Sequence, residues 1–154
     1  MSAFRATTSS GTRLGPIGLD PSTPAGHAKA IAIGASECLK GAIDLDQGFP
    51  DLTGEYILTF HAIELGLKAF LTGRGVQPKR YGHNLVRLYE AAKELGLSLN
   101  IPNAEELLAW VNEWHCDGVK IRYEFTTARE LPSCSSLFPL AQAIIAVSGR
   151  VTNA

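Results

Sequence analysis

A helical repeat of large apolar side chains constrains the fold of this chain more than any other feature. In the stretch after Pro50, apolar residues recur at intervals of three and four, the spacing of one face of an α-helix. They are Tyr56, Phe60, Ile63, Leu67 and Leu71. Asp51 and Gly73 supply a start and a stop signal. The sequence therefore predicts a long helix over residues 51–73 with one face in a core.

Other segments carry helical periodicity with their own start signals. Thr23 followed by Pro24 combines a hydroxyl cap with a proline at the first helical position. Asn84 and Asn103 are polar cap residues before two further apolar repeats, and Ser136 precedes the last one. The predicted fold is all-α, an up-and-down antiparallel bundle of four to five helices.

Two segments do not fit the helical pattern. Residues 1–22 are rich in Ser, Thr, Gly and Pro without apolar periodicity, which predicts a flexible N-terminal arm ahead of a helical domain over residues 23–154. Residues 119–125 alternate apolar and charged side chains as a strand does. Because a single strand has no partner to pair with, we interpret this segment as irregular or as the start of a helix.

The charge composition restricts the kinds of partner. Lys and Arg number 14 against 15 Asp and Glu, so the net charge of -1 argues against non-specific binding to nucleic acid or a membrane surface by the whole molecule. Only 19% of residues are charged, below the roughly 25% of typical soluble domains. A surface covered by a second copy explains this deficit, so we expect a homodimer.

The sequence contains none of the patterns of a membrane span, a signal peptide or paired cysteines. No apolar run approaches the roughly 20 residues of a membrane span, and the N-terminal residues lack the apolar core of a signal peptide. We therefore expect a cytoplasmic protein without a membrane partner. Cys38, Cys116 and Cys134 form no C-x-x-C pair, which argues against a disulfide scaffold and a structural zinc site.

Glu64 interrupts the apolar face of the predicted helix 51–73. On a wheel of about 100° per residue it lies about 40° from Phe60, inside the apolar sector. An unpaired buried charge costs several kcal/mol, so Glu64 needs a cation. Lys68 follows one turn later, and Arg122 is the predicted additional partner. The alternative is that Glu64 and Lys68 form a solvated pair at the edge of the face.

A basic stretch connects this helix to the next one. Its candidate ligand-binding residues are Arg74, Lys79, Arg80, His83, Asn84 and Arg87. Together with the backbone amides at a helix start, such cations suit an anion such as a phosphate. The alternative is an ordinary solvated basic loop.

Metal-ligand residue types occur without a complete motif. His61 and Glu64 have the reverse order of the Glu-x-x-His pair of helical di-metal bundles, and no matching motif lies on another helix. His115 adjoins Cys116, but neighbours in a helix point about 100° apart and pair poorly for nucleophilic catalysis. The sequence therefore predicts no metal and no cofactor.

Three stretches together resemble a known family. They read FHAIELGLKAFLTGRG, YGHNLVRLYEAAKELGL and IRYEF. Their most specific part is the joint spacing of Glu64-Leu65, Lys68-Ala69 and Gly82-His83-Asn84-Leu85. Over about residues 50–125 the chain resembles the HEPN domain, the higher-eukaryote and prokaryote nucleotide-binding helical domain. The resemblance implies an up-and-down helical bundle, commonly a two-fold dimer.

The resemblance implies two different functions, RNA cleavage or binding without cleavage. Many HEPN proteins are RNA-cleaving toxins or defence effectors that act as dimers through an R-x4-6-H motif. Others have lost that motif and serve as binding modules, often beside a nucleotidyltransferase partner. Here Arg122-Tyr123 resembles the Arg-Tyr portion, but no histidine follows it.

We therefore expect a non-catalytic binding or regulatory module for an anionic ligand, a nucleotide or RNA, or for a nucleotidyltransferase-type partner. One alternative is a ribonuclease with a rearranged site at Arg122, Tyr123 and Glu124, where Arg122 is also a candidate ligand-binding residue. The other alternative is a structural oligomeric partner without a ligand.

Overall fold

The computed structural model describes residues 20–116 and 132–152, and every regular element in these ranges is helical. This confirms the all-α prediction. The α-helices are α1 (Pro24–Gly48), α2 (Thr53–Gly73), α3 (Leu85–Glu94), α4 (Ala104–His115) and α5 (Phe138–Thr152). Single 3₁₀ helices lie at Pro78–Tyr81, before α3, and at Cys134–Leu137, before α5.

Two of the predicted helix starts are confirmed by their hydrogen bonds. The Thr23 hydroxyl accepts the backbone N–H of Gly26 at 3.0 Å, and the Asn84 side chain accepts that of Arg87 at 3.0 Å. Asn103 behaves differently, because it has a φ of 58° and makes no side-chain cap hydrogen bond. It turns the chain into α4 through its left-handed backbone.

The start of α2 differs from the prediction. The helix begins at Thr53, and Asp51 has a φ of 63° ahead of it. The Asp51 carboxylate accepts the backbone N–H of Cys134 at 2.8 Å. The sequence predicts Asp51 as the start signal of α2, but its carboxylate instead connects the segment before α5 to the start of α2.

Helix α2 is the centre of the bundle and packs against the other four α-helices. All members of its predicted apolar face are buried: Tyr56, Phe60, Ile63, Leu67 and Leu71. Ala62, Ala69 and Phe70 are buried as well, so the contacts extend around most of the helix. A central helix has little solvent-facing surface, which is why its polar residues need partners within the protein.

Small residues let α1 lie close to α2. The buried residues of α1 are Gly26, Ala28, Ala32, Ala35, Leu39 and Ala42. A Cβ atom on Gly34 would lie 3.5 Å from Leu65 Cδ1, and one on Gly41 would lie 3.2 Å from Leu58 Cδ1. This order of contacts makes α1 and α2 antiparallel. The glycine and alanine residues of α1 therefore face α2.

Helix α5 lies along α2 in the same direction. The Ser148 hydroxyl donates a hydrogen bond of 2.6 Å to the Gly66 carbonyl, and Gly73 lies against Val151 further along both helices. Leu140, Ala141 and Ile144 are buried. Contrary to the expectation that no apolar run approaches a membrane span, the segment Cys134–Thr152 is long and apolar enough to cross a membrane by length and composition alone, with a mean hydropathy of 1.3.

Several sequence predictions fall on residues 1–19, 117–131 and 153–154, outside the described ranges. They include most of the predicted N-terminal arm and the alternating segment 119–125. Arg122, Tyr123 and Glu124 also lie there, so the predicted partnership of Arg122 with Glu64 stays a prediction.

The close contact between α2 and α5 gives a stability prediction. A Cβ atom on Gly66 would lie 2.7 Å from Ile144 Cγ2, whereas one on Gly149 would meet nothing within 4 Å. We expect Gly66→Ala to destabilise the fold by about 1 to 3 kcal/mol through overpacking. The matched variant Gly149→Ala should stabilise it by up to about 1 kcal/mol through helix propensity. Urea unfolding of both variants measures this, and equal stabilities would contradict the packing of α5 on α2.

Candidate functional site

The carboxylate of Glu64 is the centre of a polar cluster inside the bundle. Its side chain is 2% exposed, and nitrogen groups from three parts of the chain contact its oxygens. The Lys68 ammonium donates to Oε1, His83 Nδ1 lies 2.9 Å from Oε1, and His115 Nε2 contacts Oε2. We call Glu64, Lys68, His83 and His115 the Glu64 cluster.

Each member of the Glu64 cluster is positioned by a different local feature. Lys68 lies one turn after Glu64 on α2, and His83 lies in the turn between the 3₁₀ helix Pro78–Tyr81 and α3. His115 is the last residue of α4. The backbone N–H of Leu85 donates to the Asn112 side chain at 2.7 Å, which fastens the start of α3 to the end of α4. This brings the two imidazoles together.

The two histidine rings are held at an angle to each other. Their centroids lie 6.3 Å apart with an interplanar angle of 85°. The ring of His115 also meets Phe60 edge-on at 6.2 Å, so the apolar face of α2 fixes its orientation. Packing by Phe60 on one side and the carboxylate on the other leaves His115 little freedom.

The nitrogen groups decide the charge of Glu64. Burial by itself raises the pKa of this carboxyl, but hydrogen bonds from His115 and Lys68 and their positive charges outweigh burial and lower the pKa to about 2. Glu64 is therefore ionised at neutral pH. Because an ionised carboxylate only accepts hydrogen bonds, His83 Nδ1 and His115 Nε2 each carry the proton they share with it.

Exposure increases from one side of the Glu64 cluster to the other. The side chains of His115 and Lys68 are 14% and 19% exposed, whereas that of His83 is 67% exposed. Solvent and small solutes therefore reach the Glu64 cluster from the His83 side. A carboxylate and imidazoles arranged in this way can hold a metal ion or orient a proton.

The structure shows whether Glu64 is buried or forms a solvated pair with Lys68. The reading of Glu64 and Lys68 as a solvated surface pair is wrong, because the carboxylate is buried. His83 joins them from the turn before α3. His115 is the partner that the sequence did not predict, since it lies on α4 without a local motif that marks its approach to α2.

The predicted basic residues form a second feature beside the Glu64 cluster. The guanidinium groups of Arg80 and Arg87 lie 4.8 Å and 5.9 Å from the centre of the Tyr81 ring. Lys79 is exposed beside them. Within residues 20–116 and 132–152 none of these three cations forms an ion pair with a carboxylate. We call Lys79, Arg80, Tyr81 and Arg87 the basic surface.

The remaining predicted binding residues have structural contacts. Arg74 lies over the Phe70 ring at 5.4 Å, at the end of α2. The Asn84 side chain caps α3. A further cavity of about 440 Å³ lies elsewhere, between the start of α1 and the end of α2, and Thr23, His27 and Thr72 line it. No predicted binding residue of the described ranges contributes to that cavity.

A second carboxylate of α2 is buried with fewer partners. Glu55 is fully buried, and its Oε2 accepts the backbone N–H of Asp51 at 2.7 Å, whereas Oε1 has no hydrogen-bond partner. Burial raises the pKa of Glu55, and the nearby charge of Asp46 adds to the effect. Burial also raises the pKa of the Cys134 thiol, which is fully enclosed and unsuited to act as a nucleophile.

Comparison of the chain with protein-family models, curated proteins and solved structures finds no match.

Removal of the Glu64 carboxylate should be costly. Glu64→Ala leaves Lys68 and two imidazoles around an empty place in the core, and we expect it to lower the free energy of unfolding by on the order of 3 kcal/mol. Glu105→Ala is the control, because Glu105 is 70% exposed in its pair with Lys93 and should cost less than about 1 kcal/mol. Urea unfolding at pH 7 measures both. Similar losses for the two variants would contradict the buried network.

The pH dependence of this effect follows from the sign of the shift. A carboxyl whose pKa is lower in the folded state stabilises the fold above its unfolded pKa of 4.5 and loses that contribution as the pH falls toward 2. The stability difference between the native chain and Glu64→Ala should therefore shrink between pH 4.5 and 2.

Glu55 should respond to pH in the opposite sense. Its pKa is raised in the folded state, so its contribution is favourable below the unfolded value of 4.5 and is lost as the pH rises through the folded value. We expect Glu55→Gln, which cannot ionise, to gain stability relative to the native chain between pH 4 and pH 7. Thermal unfolding at both pH values tests this. With Glu105→Gln as control, an equal difference at the two pH values would contradict an unfavourable buried charge.

Proposed function

We propose that this chain is a HEPN-like, non-catalytic module that binds an anionic ligand, a nucleotide or single-stranded RNA, on its basic surface. The observation that carries the proposal is the set of cations Lys79, Arg80 and Arg87, which lack carboxylate partners in the described ranges. The chain as a whole has a net charge of -1, so this excess of positive charge is local.

The arrangement of the two arginines suits phosphate. A guanidinium group presents a planar fork of donors that matches phosphate oxygens. The Tyr81 ring holds both guanidinium groups at its faces and so restricts them before a ligand arrives. Restricting side chains in advance lowers the entropy lost on binding.

The contact between His83 and Glu64 holds the segment that carries the basic surface against α2. His83 follows Arg80 and Tyr81 by a short turn, and its contact with the buried Glu64 carboxylate fixes that turn against α2. Asn84 then begins α3, which carries Arg87. A ligand would therefore meet cations on an anchored segment.

The family resemblance supports the same ligand class. The stretches that resemble the HEPN domain include Glu64, Lys68 and His83. Of the basic surface, Lys79 and Arg80 lie between the first two stretches, and Tyr81 and Arg87 lie in the second. The R-x4-6-H motif is absent, which favours binding over cleavage because general acid–base assistance is worth about 100- to 10,000-fold in rate.

Salt dependence provides the test of anion binding. For single-stranded RNA, affinity should fall by about 0.7 log units per log unit of salt for each phosphate that the protein neutralises. Replacing Arg80 and Arg87 together by alanine should weaken binding and reduce the slope by about 1.4. The charge-matched control replaces Lys40 and Lys93, each of which already pairs with a carboxylate, and should bind as the native chain does.

The same experiment separates the alternatives. Absence of salt-sensitive binding would favour a structural oligomeric partner or a nucleotidyltransferase-type partner. Cleavage of the RNA that disappears in Arg122→Ala would favour a ribonuclease with a rearranged site.

We also propose that the chain forms a homodimer. An apolar groove runs between α1 and α5, and Ile33, Ile43 and Ile145 are among its lining residues. A second copy could cover this groove and account for the low charged fraction. Sedimentation equilibrium at micromolar concentration should give twice the 16.5 kDa chain mass, whereas a monomer would contradict the proposal.

A further inference from the structure

Three metal-ligand groups meet in the Glu64 cluster. A carboxylate oxygen of Glu64 and one ring nitrogen each of His83 and His115 all lie within 4.8 Å of one another. They come from α2, from the turn before α3 and from the end of α4, so only the folded bundle brings them together.

We propose that Glu64, His83 and His115 bind a divalent transition-metal ion, with zinc as the best match. Two imidazoles and one carboxylate form a ligand set that zinc accepts, and it leaves the fourth tetrahedral position open. Magnesium and calcium prefer sets made of oxygen atoms, so the two nitrogens disfavour them.

The spacing of the ligand atoms fits this ion. Zinc bonds of about 2.0 to 2.1 Å place neighbouring tetrahedral ligands roughly 3.3 Å apart. His83 Nδ1 and Glu64 Oε1 lie 2.9 Å apart in their direct contact. All three ligand atoms lie within 4.8 Å of one another, so a zinc ion binds when the exposed His83 ring moves and His83 Nδ1 and His115 Nε2 give up the protons that they share with Glu64.

The surroundings of the three ligands suit a metal site as well. The gradient from buried Glu64 to exposed His83 gives the ion an entry path. Phe60 packs against the ring of His115 and limits its rotation. Such packing and hydrogen bonding around the ligands maintain the geometry that the ion requires.

Lys68 is the internal competitor for this site. Its ammonium group donates to Glu64 Oε1, one of the oxygens that the metal would use. Because Lys68 is partly exposed, its flexible side chain can withdraw into solvent when the ion enters. Removing this positive charge should therefore tighten metal binding, which is the opposite of the effect of removing a ligand.

The site was not evident from the sequence, which predicted no metal. His61 and Glu64 share one helix, but the ligand set that the fold assembles uses His83 and His115 instead. The inference is also independent of RNA binding, because it requires only the three ligands and can be tested without nucleic acid.

The test is a zinc titration of the full chain after treatment with a chelator, in competition with a chromophoric zinc indicator. We expect one zinc per chain. His83→Ala and His115→Ala should each weaken binding at least about 100-fold, since outer-shell partners alone are worth about 10- to 100-fold. Lys68→Met should tighten it at least about tenfold. The control His27→Ala, on the distant start of α1, should bind as the native chain does.

Spectroscopy with cobalt(II) distinguishes loss of the metal site from loss of the fold. Cobalt(II) bound at the site should give the intense visible bands of tetrahedral coordination, and His83→Ala should lose them while its circular dichroism stays helical. His83 is exposed, so this variant should fold even where Glu64→Ala does not. Failure of the native chain to bind zinc, binding unchanged in His83→Ala, or weaker binding in Lys68→Met would each overturn the proposal.

Discussion

A buried negative charge on the central helix α2 connects that helix to the turn before α3 and to the end of α4. Glu64 is 2% exposed, and its ionised carboxylate is tolerated only because Lys68, His83 and His115 donate to it. Breaking a buried pair by removing one partner commonly costs about 3 to 5 kcal/mol. The need to compensate this charge therefore holds the turn before α3 and the end of α4 against α2, in addition to the apolar packing of Phe60.

Two glutamates on the same helix show how surroundings determine the properties of a carboxyl group. Glu64 has cationic partners, and its pKa is lowered. Glu55 is also buried, but it receives one backbone N–H and lies near Asp46, so its pKa is raised. The first residue stabilises a junction between helices at neutral pH. The second has fewer partners, so burial disfavours its ionised form.

The segment between α2 and α3, with the first turn of α3, contains two kinds of basic residue. His83 contacts the buried Glu64 carboxylate through Nδ1 although most of its ring is exposed, whereas Arg80 and Arg87 lie at the Tyr81 ring on the surface. The contact of His83 with Glu64 anchors the segment, and the cations of the basic surface have no carboxylate partner in the part of the chain that the structure describes. The Glu64 cluster and the basic surface consist of different residues, so the proposed metal binding and the proposed anion binding can be tested independently.

The sequence by itself determined the helices and placed Glu64 within the apolar sector of α2, because both depend on residues within one or two turns. Only the structure decided between a buried Glu64 and a solvated pair at the edge of that face. Thr23 and Asn84 were identified as caps for the same reason. Only the tertiary structure showed that Asp51 binds the Cys134 backbone across 83 positions and that His115 reaches Glu64 across 51. Periodicity indicates that a charge is buried, but the partner that compensates it is set by how distant helices pack, and no local pattern carries that information.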